Sequence, residues 1–202
     1  MWVRLLLSAV LGYLLGSVNT SILVGRFYGI DVRKHGSGNA GMTNTLRTLG
    51  KKAAILVTLG DVLKAVVACL VGAYIIGDFE LGAMFGGLPA VLGHNWPLYF
   101  GFKGGKGILT TFAVIMMMDW KIGLILFAVF VVLVAITRYI SLGSVIGAAL
   151  FPLVGLWLGK GYVFFGFALV LALLAIAKHS GNIKRLLNGT ESKLGQKASS
   201  RP

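Results

Sequence analysis

Apolar residues fill long stretches of this chain, near positions 5–25, 53–76, 81–100, 107–118, 122–137, 141–158 and 161–178, and polar residues gather in the short segments between them. Most of these stretches reach the ~20 residues that a helix needs to cross a bilayer. The pattern predicts an all-α integral membrane protein, a single bundle of seven transmembrane helices. The stretch at 107–118 is the short one, which either borrows residues from its flanks or crosses a locally thinned bilayer. The first stretch resembles a signal peptide, but it is long enough to span and no small-residue cleavage site follows, so it reads as a retained span.

Composition agrees. Of 202 residues, 57% are hydrophobic and 12% charged, and the mean hydropathy is +0.88, which leaves a water-soluble fold too little polar surface. The 29 glycines are about double the usual share and suit transmembrane helices packed through small side chains. No repeat or Pro-rich linker divides the chain, which reads as a single membrane-embedded domain, 1–202. Its tail after about residue 191 is expected to be flexible, with a fusion scar at the very end. Cys69 stands alone, so neither a disulfide nor cysteine–metal chemistry is expected.

A formal charge of +13 raises nucleic acid as a partner, but the position of the charges argues for membrane topology. With seven spans and the N-terminus outside, nearly every Lys and Arg falls on one side. Only Arg4, Lys121 and Lys160 fall on the other, and Lys64 stays within a span. Removing the short span sends Arg138 and the basic tail across and erases the bias. The positive-inside rule therefore favours seven spans and a cytoplasmic C-terminus.

That topology brings three polar segments to one face. The first, "HGSGNAGMTNTLRTLGKK" (35–52), reads as a phosphate cradle. Gly36, Gly38 and Gly41 permit positive φ and convergent backbone N–H groups. Ser37, Asn39 and Asn44 add neutral donors, and Arg47 adds a planar charged fork. The second, "GFKGGKGILTT" (101–111), is a glycine turn opening into a helix, with Gly104, Gly105 and Gly107 around the point charge of Lys106. It is not a nucleotide P-loop, in which a first glycine opens G-x-x-x-x-G-K and Ser or Thr follows the lysine, because position 100 is Phe and Gly107 follows Lys106. The third, "KHSGNIKRLLNGTE" (178–191), leaves the last span with Ile183, Leu186 and Leu187 at helical spacing, so it lies along the interface and offers His179, Asn182 and Glu191. Ser141 and Ser144 of "RYISLGS" add hydroxyls or cap a helix. The plainer alternatives are a turn with a helix cap, a basic hinge and a lipid anchor.

The acids restrict the chemistry. Of six, Asp78, Glu80 and Asp119 map outside and Asp61 lies in a span beside Lys64, where the two neutralise each other. Asp31 and Glu191 alone are inside. No carboxylate pair is available for Mg²⁺, and no metal or other cofactor is expected. Neither an H-x-x-x-x-D dyad nor a G-x-S-x-G elbow is present. An enzyme of this composition works by positioning and charge stabilisation. His94 and Asn95 read as a buried structural pair, or as support for the second segment.

"GSGNAGMTN", "GHNWPLYFGFKGGKG" and "HSGNIKRLLNGTE", in this order across a basic chain of 202 residues, resemble the bacterial acyl-phosphate:glycerol-3-phosphate acyltransferases, the PlsY family. The resemblance implies a multi-pass protein of the bacterial cytoplasmic membrane with its active site on the cytoplasmic face. Its substrates would be acyl phosphate and glycerol-3-phosphate and its products lysophosphatidic acid and phosphate, with membrane lipid but no nucleic acid as partner. It carries substrate or catalytic roles over to Ser37, Asn39, Asn44 and Arg47, to Gly104, Gly105, Lys106 and Gly107, and to His179, Asn182 and Glu191. The proton acceptor is a substrate phosphate or His179. An organic-phosphate transporter and a structural lipid-binding protein are the competing readings.

Overall fold

The computed structural model describes residues 1–196; residues 197–202, where the fusion scar is expected, lie outside the described residues. Among the described residues the α-helices are α1 (Trp2–Ser17), α2 (Thr20–Phe27), α3 (Met42–Leu49), α4 (Lys51–Ile76), α5 (Phe79–Asn95), α6 (Ile108–Met118), α7 (Trp120–Thr137), α8 (Ile140–Trp157), α9 (Tyr162–Lys178) and α10 (Ser180–Leu187), joined by loops and short 3-10 turns, with no strand. Trp2–Phe27, α4, α7 and α8 are long and apolar enough to cross a membrane, and a fifth span arises if α9 and α10, bent by 59°, count as one.

Several boundaries differ from the sequence reading. The third apolar stretch stops being helical at Asn95 instead of continuing to 100, because Trp96 precedes Pro97 and a residue before proline avoids the helical region. The short α6 borrows nothing from its flanks. Gly107, at φ +74°, lies outside right-handed helix space, and Asp119 caps α7 by accepting from the N–H groups of Lys121 and Ile122. The first stretch breaks at Val18, after which Asn19 caps α2 by accepting from Ile22 N–H. The tail is tied down as far as it is described: Leu194 N–H donates to Arg138 O at 2.7 Å, and Arg138 Nη2 donates back to Leu194 O at 2.9 Å.

The helices gather into two compact units, Met1–Met118 and Asp119–Gln196. In the first, α5 packs between α1 and α4 at backbone distance. A Cβ on Gly16 would collide with the Ala90 carbonyl and one on Gly86 with the Ala68 carbonyl, which is the close approach that small residues allow where lipid supplies no hydrophobic drive for association. In the second, Phe151 meets Phe164 and Phe167 edge to face, with centroids 5.7 and 6.5 Å apart.

The second unit carries polar contacts at both of its ends. Asp119 pairs with Lys160 at 2.8 Å at one end, and Arg138 joins the segment after α10 at the other.

Candidate active site

In the first unit the opening polar segment is only half loop; from Met42 it becomes the helix α3. The loop half is held by Asn44. Its Oδ1 accepts Ser37 N–H at 2.8 Å, and its Nδ2 donates to Val32 O at 2.9 Å and His35 O at 3.0 Å. A fully buried amide used this way shapes the loop instead of facing a ligand. α3 is fastened in turn to α2 by the Ser21–Thr45 hydroxyl bond of 2.8 Å.

Several N–H groups of the expected cradle of backbone donors are bonded within the protein. Ser37 N–H serves Asn44, Gly38 N–H donates to His35 O and Gly41 N–H to Asn39 O. Gly36 and Gly38 do adopt positive φ, but Gly41 is extended at −161°. The glycines make the turn tight, and the segment carries the polar side chains of Ser37 and Asn39, with Arg47 on the last turn of α3.

The second motif packs directly on the first. A Cβ on Gly105 would lie 2.5 Å from Ala40 O and would collide with His94 Nε2, while one on Gly104 would collide with His94 O. Gly105 N–H donates to His94 O at 3.1 Å. A Cβ on Gly107 would lie 2.8 Å from Asn95 Oδ1. Of the two readings of the His94–Asn95 pair, the geometry favours support of the second motif. Thr111 N–H makes the first helical bond, 2.7 Å to Gly107 O, so the N–H groups ahead of it form the positive end of α6 beside Lys106.

Arg33 is a residue the sequence reading passed over. Its Nη1 donates to Phe100 O at 2.9 Å and Lys103 O at 3.4 Å, while Nε and Nη2 hold Asp31. Hydrogen bonding from Arg33 holds the Asp31 carboxyl at about 2, well below the ordinary value. A depressed carboxylate contributes stability above its unfolded value and loses it only as pH falls through the folded one, so this staple persists at every physiological pH. The Asp-x-Arg spacing was the local signal, but its reach to residues 100–103 has none.

In the second unit, Glu191 collects the third motif. Its Oε1 accepts from Ser141 Oγ at 2.7 Å and Asn182 Nδ2 at 2.6 Å, and its Oε2 accepts from Arg185 Nε at 2.7 Å. Burial alone would raise this carboxyl, but the bonds from Asn182, Ser141 and Arg185 outweigh it and hold the group below its usual value. The cluster is thus stable above the ordinary glutamate range and weakens as pH falls through the lowered value. Glu191→Gln is expected to loosen the segment after α10 at neutral pH, read as a several-fold rise in trypsin cleavage at Arg185 and Lys193; unchanged cleavage would contradict the assignment. Ser141, Asn182 and Glu191 were named from sequence, and Arg185 was missed.

His179 is 4% exposed, at the bend between α9 and α10. Its Nδ1 lies 2.8 Å from Ala175 O. A carbonyl only accepts, so Nδ1 carries a proton and basicity in the neutral ring belongs to Nε2.

The comparisons with known proteins agree with the family resemblance. The glycerol-3-phosphate acyltransferase family matches residues 6–189. Glycerol-3-phosphate acyltransferases of Thermoanaerobacter sp. (strain X514) and Clostridioides difficile (strain 630) are 48% and 46% identical, over 95% and 94% of this chain and 96% and 95% of theirs. The crystal structure of PlsY (YgiH), an integral membrane glycerol 3-phosphate acyltransferase, in its glycerol 3-phosphate form is similar at a TM-score of 0.88 and 36% identity, covering 95% of this chain and 96% of that one. The lysophosphatidic acid form of PlsY gives 0.85 at 35% identity, covering 95% of each chain. The chain belongs to the glycerol-3-phosphate acyltransferase family and is of its integral membrane, PlsY type.

Proposed function

We propose that this chain moves a fatty acyl group from an acyl phosphate to the 1-hydroxyl of glycerol-3-phosphate, releasing lysophosphatidic acid and phosphate at the cytoplasmic face of a bacterial membrane that it crosses seven times, N-terminus outside. The observation that carries the reading is the packing of Gly105 against the Ala40 carbonyl, which bolts the segment bearing Ser37, Asn39 and Arg47 to the turn bearing Lys106. Two anion-adapted segments joined in this way suit substrates that both carry phosphate. The relatives solved in glycerol 3-phosphate and lysophosphatidic acid forms support the acceptor and product.

An acyl phosphate is already activated, so no protein nucleophile is required. The hydroxyl oxygen attacks the acyl carbonyl carbon, a tetrahedral oxyanion forms, and the bond from carbon to the phosphate oxygen breaks. Phosphate leaves with that electron pair. The catalytic work is to hold two mutually repelling phosphates in line and to stabilise the oxyanion. Arg47 and Lys106 supply charge, Ser37 and Asn39 supply neutral donors, and the N-terminal amides of α6 add a positive pole. Gly36, Gly38, Gly104, Gly105 and Gly107 set the shape of the turns, and Asn44 positions the first.

The hydroxyl proton passes to a substrate phosphate oxygen, whose second pKa of about 6 suits the task. His179, through Nε2, is the competing acceptor, and Ser141, Asn182 and Glu191 keep the third motif in shape around it. His179→Ala separates the two readings. Under substrate assistance the variant loses rate together with glycerol-3-phosphate affinity, whereas abolished turnover with intact affinity makes His179 the base.

The decisive experiment uses purified protein in detergent with acyl phosphate and glycerol-3-phosphate. Lysophosphatidic acid and phosphate should appear in equal amounts. Product formed without a membrane barrier excludes a transporter, and a folded protein giving no product overturns the proposal.

A further inference from the structure

Lys64 and Asp61, one turn apart on α4, form an ion pair of 2.8 Å that is nearly inaccessible to solvent. Neutralisation alone accounts for little of what Lys64 does. Its Nζ also lies 3.1 Å from Val18 O and 2.9 Å from His94 Nδ1. An ammonium has three N–H donors and no acceptor, and Lys64 directs them at Val18 O and His94 Nδ1 within hydrogen-bond distance while Asp61 Oδ1 holds it as an ion pair. Val18 O is a carbonyl left open by the break between α1 and α2, so Lys64 satisfies a buried group that the helix no longer serves.

The consequence for His94 follows from donor and acceptor roles. A protonated Nδ1 would point its hydrogen at the hydrogens of the ammonium 2.9 Å away, because the other group facing it, Asp61 Oδ1, is beyond hydrogen-bond distance at 3.6 Å. Nδ1 therefore carries a lone pair, the ring is neutral, and its proton sits on Nε2. That edge of the imidazole is the one against which Gly105 packs so closely that a Cβ has no room. The main chain of His94 holds the same glycine through its carbonyl. On the other side of Gly105 stands Ala40 O, which accepts from Asn19 Nδ2 at 3.4 Å, and Asn19 adjoins Val18. A continuous ring of contacts thus runs from Lys64 through His94, Gly105, Ala40 and Asn19 back to Val18.

We infer that Lys64, oriented by Asp61, is a positioning residue that fixes His94 in the Nε2–H tautomer behind Gly105 and so sets the distance between the two phosphate-binding motifs. The inference rests on the proposed role of residues 104–107 in binding phosphate. It gives the buried ion pair a purpose beyond stability, since an ion pair serving stability alone can often be replaced by apolar side chains without loss.

The test uses the purified full-length protein in detergent. Nitrogen NMR of ¹⁵N-histidine-labelled protein should show His94, assigned by its loss in His94→Asn, as the Nε2–H tautomer at neutral pH, and Lys64→Met should release it to a mixture. His94→Asn keeps an acceptor for Lys64 but removes the Nε2 edge. It should unfold thermally close to the wild type yet lose about a hundredfold in kcat, the scale of a small misplacement of reacting groups. It should also bind inorganic phosphate, read as stabilisation against heating, about tenfold more weakly, at the lower end of what loss of a supporting contact costs a bound ion. His94→Gln, whose amide nitrogen reaches the Nε2 position, should recover most of both. An Nδ1–H or doubly protonated His94 in the wild type, or a folded His94→Asn with wild-type kcat and phosphate affinity, overturns the inference. A wild type inactive on acyl phosphate would count against the donor proposed above, while the tautomer and phosphate measurements would still decide the role of Lys64.

Discussion

Replacing Arg47 by alanine is expected to lower kcat/KM by at least about a hundredfold, the effect of deleting one preorganised donor to a developing negative charge, while leaving the protein folded. Folding should survive because α3 is fastened by other residues. Asn44 binds the loop before it, Thr45 bonds to Ser21, and Thr48 Oγ1 donates back to Asn44 O at 2.9 Å. The guanidinium stands a turn beyond Asn44 on the same helix, where it can present a planar pair of donors to a phosphate. Arg47→Lys keeps the charge but loses the fork, and should recover only part of the rate. Steady-state kinetics with varied glycerol-3-phosphate, beside a thermal melt, tests this. Near-normal kinetics in the alanine variant would remove Arg47 from the site.

The long apolar helices were legible because an apolar run long enough to cross a bilayer has few other destinations, and their interruptions were less so. The helix from Met42 went unread because its buried face carries Asn44 and Thr45, so the usual apolar stripe is replaced by polar residues satisfied through hydrogen bonds. Such burial is visible only once the partners at Ser21, Val32 and His35 are in place. The motif residues were recognisable by type and spacing, but the purpose of their glycines was not. Sequence suggested backbone amides turned towards an anion, whereas the amides of Ser37, Gly38 and Gly105 are bonded within the protein. What requires glycine at position 105 is the proximity of two groups distant in sequence, His94 and Ala40. Arg33, which reaches across to Phe100 and Lys103, and Arg185, which completes the Glu191 cluster, were missed for the same reason. A basic residue in a basic loop carries no mark of its partner.

Gly105→Ala tests that explanation of the glycines most directly, and its expected effect is comparable with that of losing Arg47. The added methyl would meet the His94 ring on one side and the Ala40 carbonyl on the other. Neither is the far end of a flexible side chain, because the ring is held by Lys64 at 2.9 Å and the carbonyl belongs to the main chain. Overpacking of this kind costs about 1–3 kcal/mol, which a membrane bundle tolerates, so the variant should still be extractable and folded. The turn must move outwards to make room, carrying Lys106 and the start of α6 with it, and a displacement of about 1 Å at reacting groups costs roughly a hundredfold in rate. Gly166→Ala is the matched control, since that glycine lies within α9 with nothing within 4 Å of the added Cβ, and activity there should not change. If Gly105→Ala is as active as Gly166→Ala, the contact between the two motifs does not set the geometry of the reaction, and the glycine at 105 needs a different explanation.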